Sequence, residues 1–526
     1  MTAHMQAQPD QPPHRPRLPV ALLAAQAIAV LGLVGWVLVL RQPVGWGLQW
    51  RIRVWQFAYP VTYLLPALLV LGGFGGLTAY LWRAMRREKL DAHRRGLAWG
   101  IAVSLVLGAW CMQMALWTIV PGHLVELAAV QFSNVSTGYL EEAYTIQDLG
   151  RYLREYARDM PTKPEHVATH PPGAVLLFYG VRRATEVLPD LTAWALTLTT
   201  AGSGMNLAEA RAGVMAYPGP VWRGEYALAT AIISSYLVGA LGCLMVLVLF
   251  AAMRSAMGDE RALVAAALMA LVPSMLLYAP LLDQVIALLG AVMLAALVAT
   301  PRHWLWGLAG GLAASAAMFV SLGALALVAV AAVFLLLRAA VQRGNQPDMS
   351  WAGRHGGFVA LLAFGAGLVA GMASWRIIGV DTIGVLSTGL GEHAGIAGTS
   401  GYRTYHVWVW MNLIEFGIFL GLPAAVAVAA SVPGIVRDLR ARTGALMPAY
   451  LGAAGLIVLG VLDVSGIVRG ETSRIWLLFV PFLLPAAARV ILPDERDPRP
   501  LIVALCLTGL QLLVMGYTMQ PIIRPY

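Results

Sequence analysis

Apolar runs, each close to 20 residues long, recur along almost the whole chain and are separated by short polar turns. A helix of that length measures about 30 Å, enough to cross the hydrocarbon of a bilayer with every backbone polar group satisfied internally. The pattern predicts an all-α fold, a polytopic transmembrane helix bundle of about eleven to thirteen spans. They fall near 18–40, 57–82, 97–120, 226–252, 262–279, 281–300, 304–319, 320–337, 357–375, 409–432, 447–464, 475–493 and 500–519. Two polar stretches interrupt the rhythm, a large first loop at 121–172 and a second at 376–408. Between 174 and 205 an apolar pattern is broken by Arg182, Arg183 and Glu186. It reads as an amphipathic segment along the interface, with both arginines reaching toward lipid headgroups.

Composition supports the bilayer as solvent. The chain of 526 residues is 59% hydrophobic and 12% charged, against about a quarter charged in soluble domains. The first run, Leu18 to Leu40, is too long for a signal-peptide core and lacks an obvious small-residue cleavage site, so it reads as a retained helix. Cys111, Cys243 and Cys506 all lie within apolar runs, which suits small core residues and gives no disulfide framework or thiolate metal site.

The formal charge of +9 is mostly topological and asks for no nucleic-acid partner. Basic residues cluster at Arg83, Arg86, Arg87, Lys89, Arg94 and Arg95, at Arg338, Arg343 and Arg354, and at Arg437, Arg440 and Arg442. The positive-inside rule places these turns in the cytoplasm together with an N-terminal tail, 1–17, that carries Arg15 and Arg17. The transmembrane domain then runs over 18–519, both large loops lie outside, and 520–526 form an outer tail. Arg41, Arg51 and Arg53 fall on the outer side, against the rule.

Under this topology the chemistry collects at one face. The first loop supplies Glu141, Glu142, Asp148 and the stretch Thr169-His170-Pro171-Pro172-Gly173. A carboxylate within hydrogen-bond reach of a hydroxyl can take its proton, so these acids are general-base candidates. In a continuous helix Glu141 and Asp148 would share a face seven residues apart while Glu142 pointed elsewhere. Solvated charges pairing with Arg151, Arg154 and Arg158 are the plainer account of the same acids. The two prolines restrict the backbone and Gly173 permits close approach, leaving His170 able to donate to a phosphate or hydroxyl; an ordinary turn explains the motif as well. Asp283 lies just inside a helix, where an ionisable group usually faces a cavity or a partner. Arg469 and Arg474, which flank Glu471, and Arg403, which sits between Tyr402 and Tyr405, suit bidentate contact with phosphate oxygens; simple salt bridging among Arg469, Glu471 and Arg474 explains the first two as well. His123, His166, His170, His393 and His406 share this face without the spacing of a zinc site. A divalent ion has no support, and no cofactor is expected.

Together, Tyr139-Leu140-Glu141-Glu142-Ala143-Tyr144, Thr169-His170-Pro171-Pro172-Gly173, Pro280-Leu281-Leu282-Asp283-Gln284 and Arg469-Gly470-Glu471-Thr472-Ser473-Arg474-Ile475-Trp476 resemble motifs of the GT-C superfamily of integral membrane glycosyltransferases. That group includes the protein O-mannosyltransferases and the lipid A aminoarabinose transferases. The resemblance covers short motifs scattered over about residues 130 to 480. It implies transfer of a sugar, with inversion, from a polyprenyl-phosphate donor to a glycan, lipid or protein acceptor at the non-cytoplasmic face of a bacterial cell membrane. An acid of the first outer loop would be the base: Glu142 first, Glu141 second, Asp148 third. Relatives often carry an aspartate early in this loop, where this chain has Ser133-Asn134. His170, Asp283, Arg403, Arg469, Glu471 and Arg474 would bind the donor's phosphate and sugar. A transporter or flippase of lipid-linked or anionic solutes, and a lipid-linked glycan polymerase or ligase, are the rival functions. A transporter predicts ionisable groups near the midplane and matched broken helices, for which Asp463, Asp283 and Glu415 are the candidates.

Overall fold

A computed structural model of the chain describes residues 18–40, 50–52, 60–119, 123–134, 137–216, 222–342, 351–399, 403–441, 446–494 and 497–521. The tail 1–17, residues 522–526, and Arg41, Arg53, Arg343 and Arg442 lie outside them. The fold is an all-α helical bundle in which, among the described residues, eleven helices are long and apolar enough to cross a membrane. Two further helices, Asp283–Ala299 and Leu305–Val320, have 17 and 16 residues and still reach about 24 Å at 1.5 Å per residue.

Small residues set the closest helix approach. The Leu305–Val320 and Trp351–Ile377 helices lie so near one another that a Cβ at Gly311 would run into the Phe364 carbonyl, and one at Gly367 into the Leu308 carbonyl. This is how helices pack in lipid, where apolar burial between them brings little and contact distance decides.

The run expected as one span at 409–432 is instead two helices, Tyr405–Leu420 and Leu422–Ala441, parted at Gly421 with φ 93°. Pro423 is the cause: it has no N–H to give, and its ring would clash with the preceding turn. The backbone groups left at the break are met by one side chain, as Gln511 donates from Nε2 to the Ile418 carbonyl at 2.7 Å and accepts from the Leu422 N–H at 2.9 Å.

Residues 174–205 form a hairpin of two helices, Gly173–Val187 and Pro189–Ser203, packed against the Glu225–Met257 helix. Arg182 does not reach for lipid. Its Nη1 donates to the carbonyls of Ala143 and Ile146, at 2.8 and 3.1 Å, closing the end of the Tyr139–Thr145 helix, and its Nε donates to Glu186 at 2.7 Å. Arg183 is the more exposed of the two and also pairs with Glu186.

The first loop is folded rather than extended. It contains the helices His123–Phe132, Tyr139–Thr145, Leu149–Asp159 and Glu165–Ala168. The second loop forms the Thr382–Thr399 helix, which packs on Leu149–Asp159. A short antiparallel pairing of Trp50–Ile52 with Met519–Pro521 joins the chain after the first long helix to the chain after the last. Both segments therefore lie at one end of the bundle, as an odd number of crossings requires.

Candidate functional site

The site end is organised around a strained turn. Gly470 and Glu471 are both left-handed, with φ 93° and 60°, and among the described residues Glu471 is the only non-glycine with positive φ. Such a conformation costs a side-chain-bearing residue of order 1 kcal/mol or more and persists where its surroundings over-determine it. Here buried Asn412 accepts the Gly470 N–H at 2.9 Å and donates to Asp463 and the Val468 carbonyl at 3.0 and 2.9 Å. One turn further along the same helix, buried Glu415 accepts from Ser473 at 2.7 Å and lies 3.1 Å from the Thr472 hydroxyl. Tyr278 bonds in turn to Ser473.

This pedestal presents Arg474. Its Nη1 donates to Asp283 Oδ2 at 3.1 Å, and its Nε donates to Glu471 Oε2, also at 3.1 Å, with Nη2 on the same oxygen. Arg403 approaches the other Glu471 oxygen at 3.6 Å, so Asp283, Arg474, Glu471 and Arg403 form a chain of alternating charge drawn from three segments. The Arg474 guanidinium, with help from Arg403 and against the cost of burial, holds the Glu471 carboxyl down at about 2. Arg469 stands apart from the ion pairs; it donates to the carbonyls of Gly466 and Arg403, at 3.0 and 3.2 Å, and its own carbonyl accepts from Arg403 at 2.6 Å.

Three imidazoles adjoin this chain. The His170 ring lies 6.3 Å from His166 and 5.9 Å from His393, and the Tyr139 ring meets it edge-on at 6.0 Å. His170 is held by the Thr169 hydroxyl, 2.9 Å from Nδ1, and by Tyr156, which donates to its carbonyl at 2.8 Å. Gly173 lies where a Cβ would strike the Phe319 carbonyl, anchoring the His-Pro-Pro-Gly stretch on the bundle. Burial, followed by the nearby Arg474 cation, lowers His166 to about 4, and burial with the neighbouring imidazoles holds His170 well below its ordinary value. All three rings are therefore neutral near pH 7, with burial lowering His393 too. His166, His170 and Glu471 are each half-buried and keep accessible surface.

The loop carboxylates separate into three environments. Glu142 is buried and ion-paired with Lys163, whose Nζ lies 4.9 and 5.6 Å from the ring centres of Tyr152 and Tyr156. It follows Tyr139 by three positions and so shares the helix face that meets His170. Glu141 points about a quarter-turn away, 3.8 Å from Arg223, with Oε2 lacking a hydrogen-bond partner among the described residues; burial raises its pKa and Arg223 opposes the rise. Asp148 is exposed and caps the Leu149–Asp159 helix by accepting the Arg151 N–H at 2.9 Å. The face expected to join Glu141 and Asp148 does not exist, because the first helix ends at Thr145 and Asp148 opens the next.

The structure thus brings His170, Asp283, Glu471, Arg474 and Arg403 into one neighbourhood, with Glu142 beside it through Tyr139 and Tyr156. Sequence reading passed over Lys163. Its signal was rarity, since of 36 basic residues only Lys89 and Lys163 are lysine. Among the described residues no three His, Cys, Asp or Glu side chains are placed to hold a metal ion.

Fold and site together define an integral membrane protein of many helices, with a buried charged cluster at one end of the bundle. No known protein family matches the chain, and neither a curated protein nor a solved structure is similar to it.

Proposed function

We propose that the protein is a membrane glycosyltransferase that takes a sugar from a polyprenyl-phosphate donor. The observation that carries this reading is the meeting, at one end of a lipid-embedded bundle, of a buried carboxylate, three neutral imidazoles and a guanidinium with donors to spare. Arginine has five N–H groups and Arg474 commits three, so two remain for phosphate oxygens. In the proposed step Glu142 accepts the proton of an acceptor hydroxyl, whose oxygen attacks the anomeric carbon from the face opposite the phosphate. The bond from that carbon to the phosphate oxygen breaks, and polyprenyl phosphate departs with the electron pair. Its added negative charge meets donors that are already oriented, which is where electrostatic stabilisation is most effective. Lys163 holds the Glu142 carboxylate in place through their ion pair. The neutral His166 and His170 offer hydrogen bonds to sugar hydroxyls without a competing charge.

The same reading sets the site at the non-cytoplasmic face of a bacterial cell membrane, because Arg83, Arg87, Lys89 and Arg95 lie exposed at the other end of the bundle. The acceptor is a glycan, lipid or protein hydroxyl. The test is release of polyprenyl phosphate from a labelled polyprenyl-phosphate sugar by the protein in liposomes. Release is expected from the wild type, and Glu142→Gln is expected to slow it by about 10²–10⁴-fold. Movement of the intact donor between leaflets without release would replace this reading with a flippase.

A further inference from the structure

The end of the bundle remote from the histidine cluster carries a second concavity, of about 760 Å³, where the first turns of the Asp91–Trp117 and Asp259–Ala270 helices meet the last turns of Glu225–Met257. Four arginines line it, Arg94, Arg95, Arg254 and Arg302, against Asp91, Asp259 and Glu260, which leaves positive charge in excess. Arg94 pairs with Glu260, and Arg254 pairs with Asp259 at 3.1 Å while lying 5.4 Å from the centre of the Trp99 ring. Arg95 and Arg302 meet no carboxylate among the described residues; the Arg95 Nε donates only to the Asp91 carbonyl, at 3.2 Å.

The concavity does not end in polar surface. Trp99, in its wall, begins an exposed stripe, Trp99, Val103 and Leu107, at intervals of four along one helix running into the apolar part of the bundle. Residues four apart stack on one face, so the stripe offers a continuous apolar track leading away from the arginines. A soluble phosphate compound would use the arginines and leave the track idle. A lipid uses both.

We infer that this concavity binds the phosphate headgroup of an anionic glycerophospholipid, with an acyl chain lying along Trp99, Val103 and Leu107. Arg95 and Arg302 take the phosphate oxygens, while the pairs Arg94–Glu260 and Arg254–Asp259 hold the walls. The exposed Arg83, Arg87 and Lys89 on the adjoining turn raise the local concentration of anionic lipid without contributing to the site. The inference is independent of the proposed reaction, since it concerns the opposite end of the molecule.

The test is native mass spectrometry of the full-length protein in detergent, with phosphatidylglycerol or phosphatidylcholine added. The wild type is expected to retain the anionic lipid about tenfold better, the scale of one to two extra basic contacts. Arg95→Gln with Arg302→Gln should bring the two lipids close to parity, whereas Arg83→Gln with Arg87→Gln should leave the preference in place. If the pocket pair folds poorly, Arg302→Gln alone reads the same ratio, since its side chain has no ion pair to lose among the described residues. Unchanged preference in the pocket variant overturns the site. Equal loss in the turn variant reduces it to diffuse surface attraction, and displacement of the lipid by glycerol 3-phosphate at matched concentration would show a soluble phosphate ligand instead.

Discussion

At one end of the bundle a single guanidinium serves two carboxylates; at the other a single carboxylate, Asp438, is served by two guanidinium groups, Arg489 at 2.8 Å and Arg437 at 3.9 Å. The first arrangement continues through Glu471 to Arg403 and closes with its charges balanced. The second leaves a cation in excess and stays largely open to solvent at Arg437. A balanced, half-buried chain fixes the position of each member, because moving any one leaves a partly desolvated charge without its partner. An exposed pair in excess of cation constrains little and serves the field of the whole molecule, favouring anionic lipid and one orientation. The same residue types are thus set for geometry at one end and for net charge at the other.

The comparison breaks most sharply at Arg474. Arg474→Ala leaves Asp283 and Glu471 without their shared partner, and with these side chains 16–37% exposed it is expected to cost about 1–3 kcal/mol, seen as a fall in unfolding temperature and folded yield in detergent. Glu142→Gln tests chemistry more than stability. A lost general base lowers the rate by about 10²–10⁴-fold, measured as polyprenyl phosphate release, while Asp148→Asn, which preserves a capping side chain, should leave the rate at the wild-type value. If the two variants behaved alike, the assignment of roles to the loop acids would be wrong.

Acidification sharpens the same contrast. His166 is lowered in the folded state to about 4 from 6.5, so between those values the unfolded chain binds a proton the native one refuses. Stability from this group is therefore complete above pH 6.5 and declines as pH falls toward 4. Glu471 is held at about 2 against 4.5, so its contribution is complete above pH 4.5 and is lost as pH falls toward 2. Unfolding temperature should drop from pH 7.5 to pH 5, and His166→Gln should flatten that drop. Smallest of all is Arg437→Gln at the far end: with its side chain 78% exposed, solvent screening limits the loss to less than about 0.5 kcal/mol, within the error of a thermal unfolding curve.

Much of the fold was legible from periodicity alone. Helix existence and approximate ends followed from apolar runs near 20 residues, because backbone satisfaction in lipid leaves only helices and closed barrels, and a barrel strand needs only about 10 residues. The break at Gly421 was not, although Gly421 and Pro423 mark it, because an apolar run on both sides masks a local stop that depends on Gln511, 90 positions away. The site was legible in pieces. Glu471 and Arg474, three apart, were readable as a pair, but their links to Asp283 and Arg403 join residues 191 and 68 positions apart. Lys163 stood out only by rarity, and Arg182 looked like an interfacial anchor until the helix end it closes was in view.

The amino-acid sequence on its own determined the solvent, the secondary structure and the alternation of polar turns, since these rest on local composition and on the reach of a helix. Tertiary structure alone decided which of three neighbouring acids is buried against a lysine, which is half-paired and which merely caps a helix. The reason is physical: a carboxylate takes its character from charges and burial supplied by distant segments, and no local pattern encodes where those segments will pack.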